Sequence, residues 1–200
     1  MMKVIGITGG VGSGKSRVLD YMKEHFNVVI CQADHVAWEL QEPGESCYHE
    51  MISYFGTSIL NDDKTIDRKK LGSIVFRNES DLQALNAIMH PEVGMKIDRL
   101  MYESRKSGAD IFVLEAALLL EENYNEFCDE VWYIKTDEKI RRQRLKESRN
   151  YSDDKIDSII SSQLPESVFL KRCTRIIDNN GSFEETCEQV TKIMAQLGVN

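Results

Sequence analysis

Residues 9–16 read GGVGSGKS and match the pattern G-x-x-x-x-G-K-[ST] of a phosphate-binding loop. In such a loop the glycines allow tight backbone turns, so that successive N–H groups converge on phosphate oxygens. The apolar run at residues 3–8 predicts a buried parallel strand, and apolar residues recur at helical spacing over residues 16–26. Because the motif requires a strand before it and a helix after it, the sequence predicts a nucleotide phosphate site in an α/β fold.

The motif also predicts roles for single side chains. Lys15 is expected to reach the β- and γ-phosphates, and the hydroxyl of Ser16 is expected to hold Mg²⁺. The positive end of the following helix adds to the attraction for phosphate. The predicted nucleotide-binding residues of the loop are Gly9, Val11, Gly12, Ser13, Gly14, Lys15, Ser16 and Arg17.

Composition restricts the class of protein. The 200 residues suit one domain with inserted subdomains, and a hydrophobic share of 42% supports a sizeable core. A net charge of −8 argues against a nucleic-acid binder, because phosphate backbones repel an acidic surface. The five scattered cysteines have neither zinc-ligand spacing nor a disulfide pattern, which is typical of reduced thiols in a cytoplasmic protein. Glycines interrupt the N-terminal apolar run, so neither a signal peptide nor a membrane span is predicted.

Two carboxylates follow predicted strands, at the edge where open α/β sheets bind ligands. The four further strands of the predicted parallel sheet lie at residues 27–31, 110–115, 131–134 and 175–178. Asp34 follows the second strand, where it caps a helix over residues 35–41, accepts a proton from a substrate hydroxyl, or does both. Glu115 ends the third strand, where it is either a plain strand-end carboxylate or a group that helps to hold Mg²⁺, directly or through water.

A long helical segment, residues 45–105, separates the second and third strands. Since a whole βαβ unit takes about 30 residues, the excess predicts an inserted substrate-binding subdomain over residues 43–105. Arg68 and His90 are its candidate substrate contacts, although a single histidine is more often structural. Pro91 is expected to kink or break the helix in which it lies.

Residues 139–149 carry six positive charges in an acidic chain. Three of the six, Arg142, Lys146 and Arg149, share one face of a predicted helix. Such a face is either solvated or part of a lid whose guanidinium groups close over a polyphosphate. The presence of a phosphate loop in the same chain favours the lid.

In chain order, the motifs resemble those of the dephospho-coenzyme A kinase family over nearly the whole sequence. The matching elements are GITGGVGSGKS at 6–16, Ala33-Asp34, DRKKL at 67–71, Val75-Phe76, His90-Pro91, LLLE at 118–121, Gln163 and IDNNGS at 177–182. Many families share the phosphate loop, whereas the Ala-Asp, His-Pro and Asp-Asn-Asn-Gly elements at these spacings are much more selective.

The resemblance implies a P-loop NTPase fold like that of nucleoside monophosphate kinases. Its expected parts are a core at residues 1–42, 106–136 and 170–200, a helical coenzyme-binding insert at 43–105 and a lid region at 137–165. The implied reaction transfers the γ-phosphate of ATP, with Mg²⁺, to the ribose 3′-hydroxyl of dephospho-coenzyme A, the last step of coenzyme A synthesis.

The match also implies site residues. The expected catalytic residues are Asp34, Lys15 and Arg144, and Asn179 joins the nucleotide-binding set. The expected substrate-binding residues are Asp34, Arg68, His90, Glu115 and Leu119. Mg²⁺ is expected on Ser16, with Glu115 or Asp34 contributing directly or through water. Which of the lid arginines Arg142, Arg144 and Arg149 meets the phosphates stays open.

Three positions depart from the family pattern. The family usually has Asp followed by Val-Pro where this chain has Glu115-Ala116-Ala117, so the carboxylate is retained on a longer side chain. Arg17 stands where family members often have Thr directly after the loop serine. Ser148 stands where the family has a second lid arginine, and Arg149 comes one residue late. Because a helix turns by about 100° per residue, Arg149 substitutes only where the lid is irregular.

Other functions share part of this pattern. A P-loop kinase for another small molecule or nucleoside monophosphate has the same loop, and an ATPase that drives a partner would turn over ATP without an acceptor. A GTP switch is rejected, because its D-x-x-G and N-K-x-D motifs occur only in part and in reverse order. The expected protein is a cytoplasmic monomer or weak homo-oligomer that binds small-molecule dephospho-coenzyme A, and neither nucleic acid nor membrane.

Overall fold

The computed structural model describes residues 2–199 and contains a five-stranded parallel sheet in the order β2-β3-β1-β4-β5. The strands are β1 Lys3–Thr8, β2 Val28–Gln32, β3 Ile111–Glu115, β4 Glu130–Lys135 and β5 Arg175–Asp178. β1 pairs with β3 through Ile5 and Val113, and with β4 through Ile7 and Trp132. The predicted parallel sheet is therefore confirmed, and the predicted strand bounds differ from the observed ones by no more than one residue.

Helices and short 3₁₀ turns make up most of the remaining chain. The helices are α1 Lys15–His25, α2 Ala33–Glu39, α3 Ser46–Phe55, α4 Arg68–Val75, α5 Glu79–Lys106, α6 Glu138–Arg149, α7 Asp153–Ser161, α8 Glu166–Arg172 and α9 Phe183–Gln196, with 3₁₀ turns at Thr57–Ile59 and Tyr124–Phe127. α8 was not predicted, because its seven residues are too few for a clear helical period.

The described chain divides into two compact units, one of residues 2–30 with 104–199 and the other of residues 31–103. In the first unit, apolar side chains of the sheet pack with those of α1 and α9. These side chains include Ile5, Ile7, Val113, Trp132, Ile134, Val18, Met22, Val190 and Met194. Each such burial is worth about 1.5–3 kcal/mol, so this core fixes β1 and α1 and thereby the loop between them.

The second unit is mainly helical, as predicted from its apolar periodicity. Met51 of α3, Leu71 of α4 and Val93 of α5 are buried within it. The side chain of Asp67 caps α4 by accepting the backbone N–H groups of Lys69 and Lys70. The bond from Lys70 is the main cause that lowers the pKa of Asp67. This cap fixes where α4 begins, and its first residue is Arg68.

Two alternatives left open by the sequence are decided by the structure. α5 runs from Glu79 to Lys106 with Pro91 inside it, so the helix does not break there. An internal proline costs about 3 kcal/mol, but the buried stripe continues past it through Val93 and Ile97, whose burial offsets that cost. Asp34 is not an N-cap either. Gln32 keeps the extended backbone of β2 and occupies the N-cap position, so Asp34 is the second residue of α2.

Two further features of the structure are the state of the cysteines and the hydrophobicity of the helices. All five cysteines are unpaired. Burial raises the pKa of Cys31 and that of Cys128 to about 12, so both thiols are protonated at neutral pH. Within residues 2–199, every helix is too short or too polar to cross a membrane.

Candidate active site

The loop between β1 and α1 depends on glycine. Gly12 and Gly14 have φ angles of 82° and 89°, in the left-handed region that side chains other than glycine rarely adopt. A Cβ atom on Gly14 would also collide with the amide of Asn179, and one on Gly10 would collide with the guanidinium of Arg141. The loop backbone therefore lies in close contact with side chains from other elements, and only glycine leaves room for them.

The carbonyl oxygen of Ser13 is the point where these elements meet. It accepts hydrogen bonds from Thr136 Oγ1 at 3.0 Å, Asn179 Nδ2 at 2.6 Å and Arg144 Nη1 at 3.2 Å. Thr186 Oγ1 donates to Asn179 Oδ1 at 2.9 Å, which fixes the orientation of that amide. Donors that follow β4 and β5, or lie on α6, thus hold a single peptide unit of the loop, and α9 orients one of these donors.

Lys15 is the first residue of α1, and its side chain turns back along the loop. Its Nζ donates to the carbonyl of Gly9 at 2.8 Å and lies 3.7 Å from Glu115 Oε1. The two side chains are only 14% and 10% exposed, so the ion pair is largely shielded from water. Glu115, predicted from its place at the end of β3, is therefore a direct neighbour of the loop lysine.

The two residues after Lys15 face solvent. Ser16 is exposed in the first turn of α1, where its hydroxyl is accessible to a metal ion. Arg17 is also exposed, and its Cζ lies 3.9 Å above the ring centroid of Phe183. Arg17 therefore packs on α9 through its side chain.

Two arginines of α6 contact the loop. Arg144, named in the sequence prediction, donates to Ser13 as described above and to the carbonyl of Asn179 at 3.0 Å. Arg141 was not predicted, and it donates through Nε to the carbonyl of Val11 at 2.9 Å. Burial lowers the pKa of both guanidinium groups, which stay charged at neutral pH. Their spacing of three residues places them on one face of α6.

The other basic residues of α6 pair with acids. Arg142 forms ion pairs with Glu138 and Asp157, and the hydrogen bonds that it donates to them, led by the one to Glu138, raise its pKa. Lys146 Nζ lies 2.7 Å from Asp153 Oδ1. These partners include residues of α7, so the predicted basic face is occupied by ion pairs. Arg149 also lies apart from the loop contacts, with its Cζ 6.0 Å from the ring centroid of Tyr151.

Of the remaining predicted residues, three are exposed in the second unit and one is buried in the first. Asp34 and His90 are exposed side chains of the second unit. Arg68 has its Cζ 4.4 Å from the ring centroid of Trp38, and it lines a surface cavity of about 520 Å³. Leu119, by contrast, is completely buried in the first unit, which makes it a core residue of this structure.

The first strand of the parallel sheet runs through a glycine loop into a helix that begins with Lys15, and two arginines of α6 contact this loop. This arrangement is that of a P-loop phosphotransferase. Residues 3–185 match the family model of dephospho-CoA kinase. The chain is 38% identical over 194 residues to the dephospho-CoA kinase of Carboxydothermus hydrogenoformans, covering 97% of this chain and 94% of that protein. The chain belongs to the dephospho-CoA kinase family, which confirms the resemblance seen in its motifs.

Solved structures agree with this membership. A Thermus thermophilus protein superposes with a TM-score of 0.82 at 27% identity and 98% coverage of both chains. Dephospho-CoA kinase from Campylobacter jejuni superposes with a TM-score of 0.70 at 26% identity, again over 98% of both chains. The predicted P-loop NTPase fold and the prediction of an ATP-dependent kinase are therefore confirmed.

Proposed function

We propose that this chain transfers the γ-phosphate of ATP to the ribose 3′-hydroxyl of dephospho-CoA, giving CoA and ADP. The observation that carries the proposal is the clamped loop. The loop that leads to Lys15 is held by three hydrogen bonds to the Ser13 carbonyl, one of which comes from Arg144 of α6. Such a loop binds phosphate oxygens without reorganising, which is what phosphoryl transfer requires of its protein.

The loop residues supply the ATP site. Lys15 has three N–H donors, so its ammonium group can contact the β- and γ-phosphates while its bond to Gly9 is retained or exchanged. Backbone N–H groups over residues 9–17 complete the contacts, and Asn179 supports them by holding Ser13. Arg144 neutralises charge on the transferring phosphoryl group, and we retain a lid at residues 137–165 as a proposal.

The residues present also fit Mg²⁺. The ion prefers oxygen ligands and usually binds through one or two protein groups together with phosphates. Ser16 would hold the ion through its exposed hydroxyl, and Glu115, whose carboxylate lies beside Lys15, or Asp34 would contribute directly or through water. Within residues 2–199, no group of three or more acidic, histidine or cysteine side chains is arranged to hold a metal, so phosphates would provide most of the ligands. The bound ion would neutralise phosphate charge.

Asp34 is the proposed base. Its carboxylate is exposed two residues after β2, and the structure removes its competing role as a helix cap. In the reaction the ribose O3′ forms a bond to the γ-phosphorus, the bond from that phosphorus to the bridging oxygen of ADP breaks, and Asp34 accepts the proton of the hydroxyl. Because the transition state is loose, the carboxylate also acts by orienting the hydroxyl before the proton leaves.

The acceptor is proposed to bind in the second unit. Arg68 and His90 are candidate contacts for the coenzyme phosphates, with the exposed Trp38 beside Arg68 as an apolar surface. Leu119 is proposed to shape the core beneath the site, since it is buried. We further propose a cytoplasmic monomer or weak homo-oligomer that does not bind nucleic acid.

The direct test incubates the purified protein with ATP, Mg²⁺ and dephospho-CoA and identifies the product by mass and by proton–phosphorus NMR. We expect CoA with the new phosphate on the 3′-oxygen. A panel of other acceptors, including nucleoside monophosphates and shikimate, serves as the comparison. Efficient transfer to one of these acceptors, without product from dephospho-CoA, would contradict the proposed substrate.

A further inference from the structure

Arg141 lies directly on the phosphate loop, although the basic face predicted from the sequence did not include it. Its Nε donates to the carbonyl of Val11 at 2.9 Å, and its Nη2 donates to the side-chain carbonyl of Gln163. The guanidinium also covers Gly10 so closely that a Cβ atom there would collide with it. Three contacts thus hold the cation against the first half of the loop.

This guanidinium lacks the counter-charge that its neighbour has. Arg142 is ion-paired with two carboxylates, whereas no carboxylate of residues 2–199 lies within ion-pair distance of Arg141. Glu138 and Glu166 favour its charge only from farther away, and burial opposes it. A partly buried cation without a paired anion is costly in the free protein, so its retention on a phosphate loop calls for an anionic ligand.

We propose that Arg141 is a nucleotide-binding residue whose counter-charge is the triphosphate of ATP. An arginine side chain has five N–H donors, of which the contacts to Val11 and Gln163 use two. The Nη1 group has no acceptor within residues 2–199 and is therefore available to a phosphate oxygen. Gln163 and the loop carbonyl orient the planar group in advance, so that little side-chain entropy is lost on binding. The inference rests on the proposed binding of ATP at this loop.

The test compares the free and the nucleotide-bound protein. In Arg141→Gln, the amide keeps a donor near Val11 but loses the charge. We expect the melting temperature of the free protein to stay the same or rise, because an unpaired cation has been removed. The Kd for Mg·ATP, measured by calorimetry without acceptor, should rise by about 10- to 100-fold, the range for a lost hydrogen bond to a charged group. Binding of tripolyphosphate should weaken in parallel, and binding of adenosine should not change.

Arg142→Gln is the matched control, since it removes the same charge from the next residue of the same helix. Its Kd for Mg·ATP should stay within about twofold of wild type, because Arg142 is paired with Glu138 and Asp157 and such exposed ion pairs contribute little to stability. An equal loss in both variants would indicate a general effect of net charge and would overturn the proposal. A lower melting temperature of free Arg141→Gln with unchanged binding of Mg·ATP would also overturn it, because Arg141 would then be a structural brace.

Arg141→Lys covers the case in which the glutamine variant does not fold. Lysine keeps the charge but loses the planar fork. The proposal expects weaker binding of Mg·ATP and of tripolyphosphate, with unchanged binding of adenosine. An unchanged Kd for Mg·ATP, or a matching loss for adenosine, would contradict it. Because none of these measurements uses dephospho-CoA, failure of the proposed acceptor would leave the result on Arg141 interpretable.

Discussion

The two compact units hold their polar residues in different ways. In the first unit, the loop peptide at Ser13 accepts three hydrogen bonds, and Lys15 and Glu115 form a shielded ion pair. In the second unit, Asp34 and His90 are exposed, and Arg68 rests on the ring of Trp38. The first arrangement is organised before any ligand binds, whereas the second is open to solvent. On the proposed roles of these residues, we propose that nucleotide phosphates meet a prepared site and that the acceptor meets an exposed one.

The largest expected effect is that of Asp34→Asn, which keeps the size of the side chain and removes its charge. We expect kcat to fall by about 10²–10⁴-fold, the range for a general base. The Kd for dephospho-CoA should change by less than about tenfold, because neither orientation nor proton transfer supplies much ground-state affinity. Single-turnover rates with saturating substrates measure the effect.

The control for Asp34 is the exposed carboxylate of Glu39 in the same helix, changed to Gln. Its single-turnover rate should match that of the wild type. If the single-turnover rate of Asp34→Asn fell by less than about threefold, the carboxylate would not be the base. The exposed acceptor side would then have no catalytic group of its own.

Lys15→Ala should have the next largest effect, and it tests the prepared loop of the first unit. We expect kcat to fall by about 10²–10³-fold, as for the loss of one prepared donor to a developing charge. The variant also removes the positive charge beside the buried carboxylate of Glu115, so we expect some loss of folding stability. The double variant Lys15→Ala/Glu115→Gln separates the two effects. Its melting temperature should recover while its kcat stays low. A recovery of activity together with stability would mean that Lys15 acts only through folding.

Short apolar runs made the sheet predictable. Parallel strands are buried on both faces, so residues 3–8 and 110–115 stand out without any knowledge of the partners that cover them. The loop was equally accessible, because a local motif specifies both its glycines and its lysine. Contacts that depend on packing were not. Arg141 and Val11 are separated by 130 positions, and only the way in which α6 packs on the loop brings them together.

The same limit applies to the basic face of α6. The sequence places Arg142 and Lys146 on one helix face, but it does not show that their partners Asp157 and Asp153 lie on α7, beyond a turn whose geometry it does not specify. The acids Asp153 and Asp157, four residues apart, were the available signal for this pairing. The alternative role of Asp34 as a helix cap does not hold, since β2 passes into α2 without a loop and the helix starts one residue earlier than Asp34.

Arg144→Ala tests whether the clamp and the chemistry share one residue. The side chain donates to two loop-side carbonyls, and its charge faces the phosphate loop. We expect kcat to fall by about 10–100-fold, corresponding to a lost charge-assisted interaction, with a smaller change in the Kd for Mg·ATP. Steady-state and binding measurements on Arg144→Ala and Arg144→Lys would show this division. If kcat and the Kd for Mg·ATP both stayed near wild type, Lys15 and the loop backbone would form the prepared site without Arg144.

The smallest expected effect concerns Arg68, and it tests the contrast most directly. If the two units serve different substrates, Arg68→Ala should raise the KM for dephospho-CoA by about tenfold, the effect of one lost contact to a phosphate, and leave the KM for ATP unchanged. Arg99→Ala is the matched control, because Arg99 is an exposed arginine of the same unit whose ion-pair partner within the described residues 2–199 is Glu103 on its own helix. Tryptophan fluorescence supplies a second readout, since Trp38 is 43% exposed while Trp132 is fully buried. Dephospho-CoA should change the emission of the wild type, and that change should vanish in Trp38→Phe. A rise in both KM values for Arg68→Ala would mean that the second unit also forms the ATP site, and the separation of a prepared nucleotide site from an open acceptor side would be wrong.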